Sequence, residues 1–183
     1  MNFFASSKIP SVKKDYIVQG YSPVAHSGQT GSDIFVNLTT KRVVRFGGDP
    51  AFDHFAIFVL NNRAPYFPFI YSHECPDGPF ELVSGQWPLV TSVTEMEQLD
   101  PLPSHHHAAA NQWFQDAWDA RKDQKPTPPF NSLEHAFDAL VNEAHKEVMG
   151  GMPGRKITGA DLKVDNVMIR AATGEWVIID GFS

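Results

Sequence analysis

Three side chains in the last quarter of the chain have the types and spacing for chemistry. Asp161 stands five residues before Asn166 in Gly159-Ala160-Asp161-Leu162-Lys163-Val164-Asp165-Asn166, and Asp180 ends the run Val177-Ile178-Ile179-Asp180. Between them, Val167-Met168-Ile169 and Trp176-Val177-Ile178-Ile179 read as two short strands around a Thr173-Gly174 turn. A hairpin of that size can bring Asp180 back beside Asn166. Two carboxylates and an amide fit phosphoryl transfer, which is mostly positioning and charge stabilisation. One carboxylate accepts the hydroxyl proton. The other and the amide hold Mg²⁺, which takes a few oxygen ligands and completes its shell with phosphates and water.

The elements that must position this group follow from pattern. The first two dozen residues are polar and mixed, and Lys13-Lys14 suggests an exposed arm. Gly28-Gln29-Thr30-Gly31-Ser32 is a turn, followed by strands over Asp33–Leu38 and Arg42–Phe46; strand, short turn, strand predicts a hairpin. Asp49-Pro50 predicts a helix start. Phe52, Phe55, Ala56, Val59 and Leu60 then form one apolar face, and Asn61-Asn62 ends the helix. Strands are expected over Tyr66–Tyr71 and Leu89 to about Met96, with a turn at Cys75–Pro79 and a short strand over Phe80–Val83.

After Pro103 the pattern becomes helical. Ser104 is expected to cap a helix bearing Trp113, Phe114, Ala117 and Trp118. Lys125–Pro129 breaks it. Asn131, with Glu134 as capping-box partner, is expected to open the next helix, whose stripe is Leu133, Ala136, Phe137, Leu140, Val141, Ala144 and Val148. Gly150-Gly151-Met152-Pro153-Gly154 should stop it. Sheet and one helix first, then helices, then a hairpin make an α+β chain with two lobes.

Composition narrows the function classes. With 183 residues, 42% hydrophobic and 20% charged, the chain is sized for one globular domain. A net charge of −6 argues against a dedicated nucleic-acid binder. The single cysteine, Cys75, excludes an intramolecular disulfide and suits a reducing, cytoplasmic compartment. No apolar run is long enough to span a bilayer, and the N-terminal stretch is too short and polar for a signal peptide.

On Asp161 to Asn166 and Asp180 the chain resembles the protein-kinase superfamily: the first pair matches its catalytic-loop pattern D-x-x-x-x-N, the second its D-F-G aspartate. The resemblance implies an antiparallel-sheet small lobe with its hinge over about residues 20–98 and a reduced, truncated helical large lobe over about 99–183, together one kinase-like domain. It also implies ATP and Mg²⁺ as cofactors, with Asp161 as catalytic base and Asn166 and Asp180 as metal ligands. Lys163, two after the base as in serine/threonine kinases, would neutralise the moving phosphate. Gly28, Gly31 and Ser32 would be a degenerate glycine-rich loop. Arg45 would stand where the family has its small-lobe lysine, with Asp53 or Asp49 as an acidic partner. Val93 to Gln98, with Glu95 and Glu97, would be the hinge that meets adenine. Within the family, the chain is similar to the small early protein kinases of podovirus-type bacteriophages, which implies a host protein as substrate or target in the host cytoplasm.

The departures are equally specific. Gly159-Ala160 replaces the His-Arg before the base, so a phosphorylated activation loop has no reader. Arg45 replaces a lysine, a swap that changes reach and hydrogen-bond geometry. The order is Asp180-Gly181-Phe182 rather than Asp-Phe-Gly, and the sequence carries no activation segment or A-P-E after it. Two other readings therefore stand beside the protein kinase. One is a small-molecule kinase resembling the aminoglycoside phosphotransferases, which usually carry His where Lys163 stands. The other is a pseudokinase that binds and inhibits a host factor. The bland alternatives are turn-forming roles for Asp161, Asn166 and Gly28/Gly31, a solvated helix start for His105-His106-His107 rather than a metal site, and core packing for Trp113, Phe114 and Trp118.

Overall fold

The structure, a computed structural model, describes residues 9–24, 32–74, 92–150 and 159–183. Among them the chain is mixed α+β, with a five-stranded antiparallel sheet, a three-stranded antiparallel sheet and four α-helices. It divides into two compact units. One holds the described residues up to Leu60 and Phe69–Gln98; the other holds Asn61–Pro68 and the described chain from Leu99 onward.

The first unit is built on a sheet in the order β1-β2-β3-β5-β4. Its strands are β1 (Ser22–Pro23), β2 (Asp33–Asn37), β3 (Arg42–Gly47), β4 (Ile70–Glu74) and β5 (Ser92–Glu97). The expected hairpin is β2–β3, in register from Asp33 opposite Phe46 to Asn37 opposite Arg42. Its turn is closed by the Asn37 side chain, whose Oδ1 accepts the Thr39 and Thr40 N–H groups. One sheet face buries Phe35, Val44, Phe46 and Val93 with Tyr21. Val12 and Tyr16 pack against this group. They come from α1 (Ile9–Val18), a helix where the polar composition predicts an exposed arm. Two apolar residues four apart were enough to dock it, and Lys13 pairs with Asp33 while Lys14 stays exposed.

Helix α2 (Pro50–Asn61) starts where Asp49 predicts, with Asp49 Oδ1 accepting the Ala51 N–H at 3.0 Å. It is buried more widely than one apolar face: Ala51 to Ala56, Phe58 and Val59 are all buried, Asp53 and His54 included. The strand expected over Tyr66–Tyr71 begins only at Ile70. Pro65 and Pro68 flank a turn closed by Phe67 N–H on Ala64 C=O, and proline has no N–H for a ladder. The turn and strand expected between Cys75 and Val83, and the start of the strand expected from Leu89, lie outside the described residues.

The second unit carries α3 (Ser104–Lys122), α4 (Leu133–Gly150) and the sheet β6 (Asp100–Pro101), β7 (Val167–Ile169) and β8 (Trp176–Ile178), in that order. Both expected helix caps are corrected. Ser104 is the first helical residue and Pro103 the cap, with no side-chain bond to the helix end. Before α4, Asn131 and Ser132 have positive φ, and Glu134 takes the Phe130 N–H at 2.9 Å instead of reaching Asn131. Phe130 itself stacks on Trp113, whose indole N–H donates to Pro128 C=O. Aromatic packing therefore sets the cap position. The α4 stripe from Leu133 to Ala144 is buried as its spacing predicts. The side chain of Val148 and the break beyond Gly150 fall outside what is described. Among the described residues no helix is long and apolar enough to cross a membrane.

Candidate catalytic loops

In the second unit the segments around Asp161 and Asp180 are laced together. Ala160 and Phe182 form an antiparallel bridge. Asp161 N–H donates to Gly181 C=O at 2.9 Å, and Ser183 N–H to Gly159 C=O at 3.1 Å. On the other side of Asp180, Ile179 N–H donates to Asn166 C=O at 2.9 Å. Both chain neighbours of Asp180 are thus bonded to the segment that carries Asp161 and Asn166. The β7–β8 hairpin makes this possible: Val167 pairs with Ile178, and Gly174 adopts φ +74° to close the turn on Arg170 C=O.

Asn166 ends a single 3₁₀ turn, Val164–Asn166. Its Nδ2 donates to Asp161 C=O at 2.7 Å and lies 3.4 Å from Asp161 Oδ2. Two acceptors on that side fix the amide orientation, so Oδ1 is the atom left for a cation. Lys163 Nζ donates to Asp161 Oδ2 at 2.7 Å. That bond, reinforced by the negative charges of Asp161, Asp165 and Asp180, raises the lysine above its ordinary pKa and keeps it a cation. Both partners remain accessible, with 51% of the Lys163 and 35% of the Asp161 side chain exposed.

Asn166 Oδ1 and the Asp180 carboxylate are oxygen donors of the kind Mg²⁺ takes. Among the described residues no three His, Cys, Asp or Glu side chains gather in a way that could hold a metal. At the start of α3, the His105 and His106 rings lie 4.0 Å apart, His106 leans on Trp176, and the His107 ring meets Leu102 C=O.

The expected nucleotide contacts of the first unit sit as follows. Arg45 is 9% exposed, lies 3.7 Å from the Phe52 ring centroid and reaches Asp49 Oδ2 at 3.8 Å. Gly47 makes room for it, since a Cβ there would lie 2.8 Å from Arg45 Nη1. Asp53 lies 3.8 Å from His73 Nε2, and His73 Nδ1 meets Thr94 Oγ1 at 2.8 Å. Arg45 opposes Thr94, and Thr94 opposes His73, so the three form one cross-strand row on the sheet. The sequence pattern singled out Asp53 but not His73, because alternation alone does not show which strands become neighbours.

The segment expected as a hinge is instead a central strand. Arg42–Gly47 and Ile70–Glu74 flank β5 on its two sides, so residues 93–97 have their backbone in sheet pairing, and Gln98 N–H donates to Lys41 C=O. Glu95 accepts the Tyr21 hydroxyl at 2.7 Å and Arg42 Nη1 at 2.9 Å. Glu97 takes the Phe69 N–H at 2.8 Å. Ser32 is buried, with its hydroxyl near Gly47. Gly28 and Gly31 lie outside the described residues.

No protein-family model matches this chain, and no curated protein matches it as a relative.

Proposed function

We propose that the chain is an ATP- and Mg²⁺-dependent phosphotransferase of protein-kinase-like fold, with the sheet unit as small lobe and the helical unit as part of the large lobe. The observation that carries the reading is the lacing of residues 159–161 and 166 to residues 179–183, with the Asn166 amide anchored on Asp161 C=O. Turn formers with no shared task have no need of this joint arrangement. In the reading, Asp161 accepts the proton of the acceptor hydroxyl as the oxygen attacks the terminal phosphorus and the bond from that phosphorus to the β,γ-bridging oxygen breaks, releasing ADP. Lys163, held beside it as a cation, attracts the phosphoryl oxygens. Asn166 Oδ1 and the Asp180 carboxylate would hold the Mg²⁺ ion, which neutralises charge on the phosphates when bound. Lys163 favours a protein serine or threonine as acceptor, in keeping with a host protein as target.

The test separates metal ligand from base. In a thermal-shift titration with ATP and Mg²⁺, Asp180→Asn should lose most of the ligand-induced shift and Asp161→Asn should keep it. Equal loss in both would remove the assigned roles. Labelled ATP and cell extract then report transfer: label on protein supports a protein kinase. Nucleotide binding with no transfer would leave only the pseudokinase reading.

A further inference from the structure

The departure Asp180-Gly181-Phe182 has a local cause. Gly181 is buried against α4, where an added Cβ would lie 2.7 Å from Leu140 Cδ1, 3.0 Å from Cδ2 and 3.3 Å from Cγ. Leu140 is wholly buried and so has little freedom to move aside. On its other side Gly181 offers its C=O to Asp161 N–H. The residue after Asp180 is therefore squeezed between a helix and the catalytic loop, and no side chain fits there. The aromatic ring comes one position later, at Phe182, which is 3% exposed and bridged to Ala160.

We infer that Leu140 is a positioning residue: by filling the space over Gly181 it sets the depth of the Asp180 backbone, and with it the reach of the Asp180 carboxylate toward a cation. The inference rests on the phosphotransferase reading for its consequence, though not for the contact itself. Helix α4 then acts as a fixed backstop. An aromatic residue directly after the aspartate, able to swing in and out, has no space in this arrangement.

The test is a cycle of Gly181→Ala, Leu140→Ala and the double variant, read in two ways. Hydrogen exchange at the Asp161 amide reports the Gly181 bond without nucleotide. The Mg²⁺ concentration for half-maximal ATP-induced stabilisation reports the cation site. Gly181→Ala should speed Asp161 exchange and raise the Mg²⁺ requirement roughly 10- to 100-fold, the usual range for a residue one step removed from a metal ligand. Adding Leu140→Ala relieves the clash, so the double variant should be more stable than Gly181→Ala alone and recover most of both losses, although Leu140→Ala by itself destabilises the wild type. If Gly181→Ala does not fold, the double variant still reports both readouts. Equal cost of Leu140→Ala in both backgrounds would overturn the contact. A wild-type Mg²⁺ requirement in every folded variant would overturn the positioning role and leave packing only. If the wild type itself shows no Mg²⁺-dependent ATP binding while the exchange cycle behaves as expected, the phosphotransferase reading fails, and the positioning role with it, while the contact stands.

Discussion

Two groups of charged side chains, one in each unit, are treated in opposite ways. In the sheet unit one set faces inward: Asp53 is 3% exposed, Arg45 is 9%, and the His73 side chain beside Asp53 is 2%. In the loops around Asp161 the Lys163 and Asp161 side chains stay open to water. Burying an ion is costly unless it is paired, and removing one partner leaves the other stranded. The inward set is therefore tied to the integrity of the sheet. The outward set contributes little to stability, since exposed pairs are weak, but it can exchange its water for a ligand. Burial separates groups that hold the fold from groups available for chemistry, although all are Asp, Arg, Lys or His.

The comparison can be broken by mutation. The largest effect is expected for Asp161→Ala, which should cut phosphoryl transfer by about 10²- to 10⁴-fold and leave the melting temperature nearly unchanged. A matching loss of stability would place Asp161 with the inward set. Asp53→Ala should behave in reverse: we expect a stability loss of about 1–3 kcal/mol in urea denaturation, because the buried polar groups around Asp53 lose a partner. Should Asp53→Ala unfold at the wild-type urea midpoint, burial does not mark structural charge here.

A comparable effect sharpens the contrast at high pH. Burial, followed by the hydrogen bond to Glu95, pushes the Tyr21 hydroxyl up to about 12. A raised acid favours folding while neutral, so its contribution is full below pH 10 and fades as pH climbs toward 12. Tyr21→Phe should lose about 1.5–3 kcal/mol at pH 8, as for a hydrogen bond to a charged group. Its deficit against the wild type should shrink between pH 10 and 12. A constant deficit over that range would show that Tyr21 does not titrate in the folded state.

The sequence made some of this legible. Alternation found β2 and β3, and helical spacing found α2, α3 and α4, because those patterns record which face is buried. The spacing of Asp161, Asn166 and Asp180 marked the loops, since the hairpin between them is local. What stayed hidden was non-local. Helix α1 docks through Val12 and Tyr16 against residues far along the chain. The strand expected from Leu89 to about Met96 gave no sign that it would be central, nor that Glu95 and Glu97, expected in the hinge, would bond Tyr21, Arg42 and Phe69. The Leu140–Gly181 contact joins positions that share no motif. Only the unusual order of Gly181 and Phe182 pointed to it.

The guanidinium of Arg170 bears on any attempt to cut the gene. Its nitrogens donate to Pro65 C=O at 2.9 Å and Phe67 C=O at 3.1 Å, and Ile178 N–H donates to Tyr66 C=O at 3.2 Å. The short stretch after α2 thus completes the helical unit although it precedes β4 and β5 in the chain. A fragment begun at Leu99 would omit three carbonyl acceptors that its own Arg170 and Ile178 use. Dissection of this protein has to respect a discontinuous inheritance, grafting residues 61–68 onto the later segment rather than truncating at a single point.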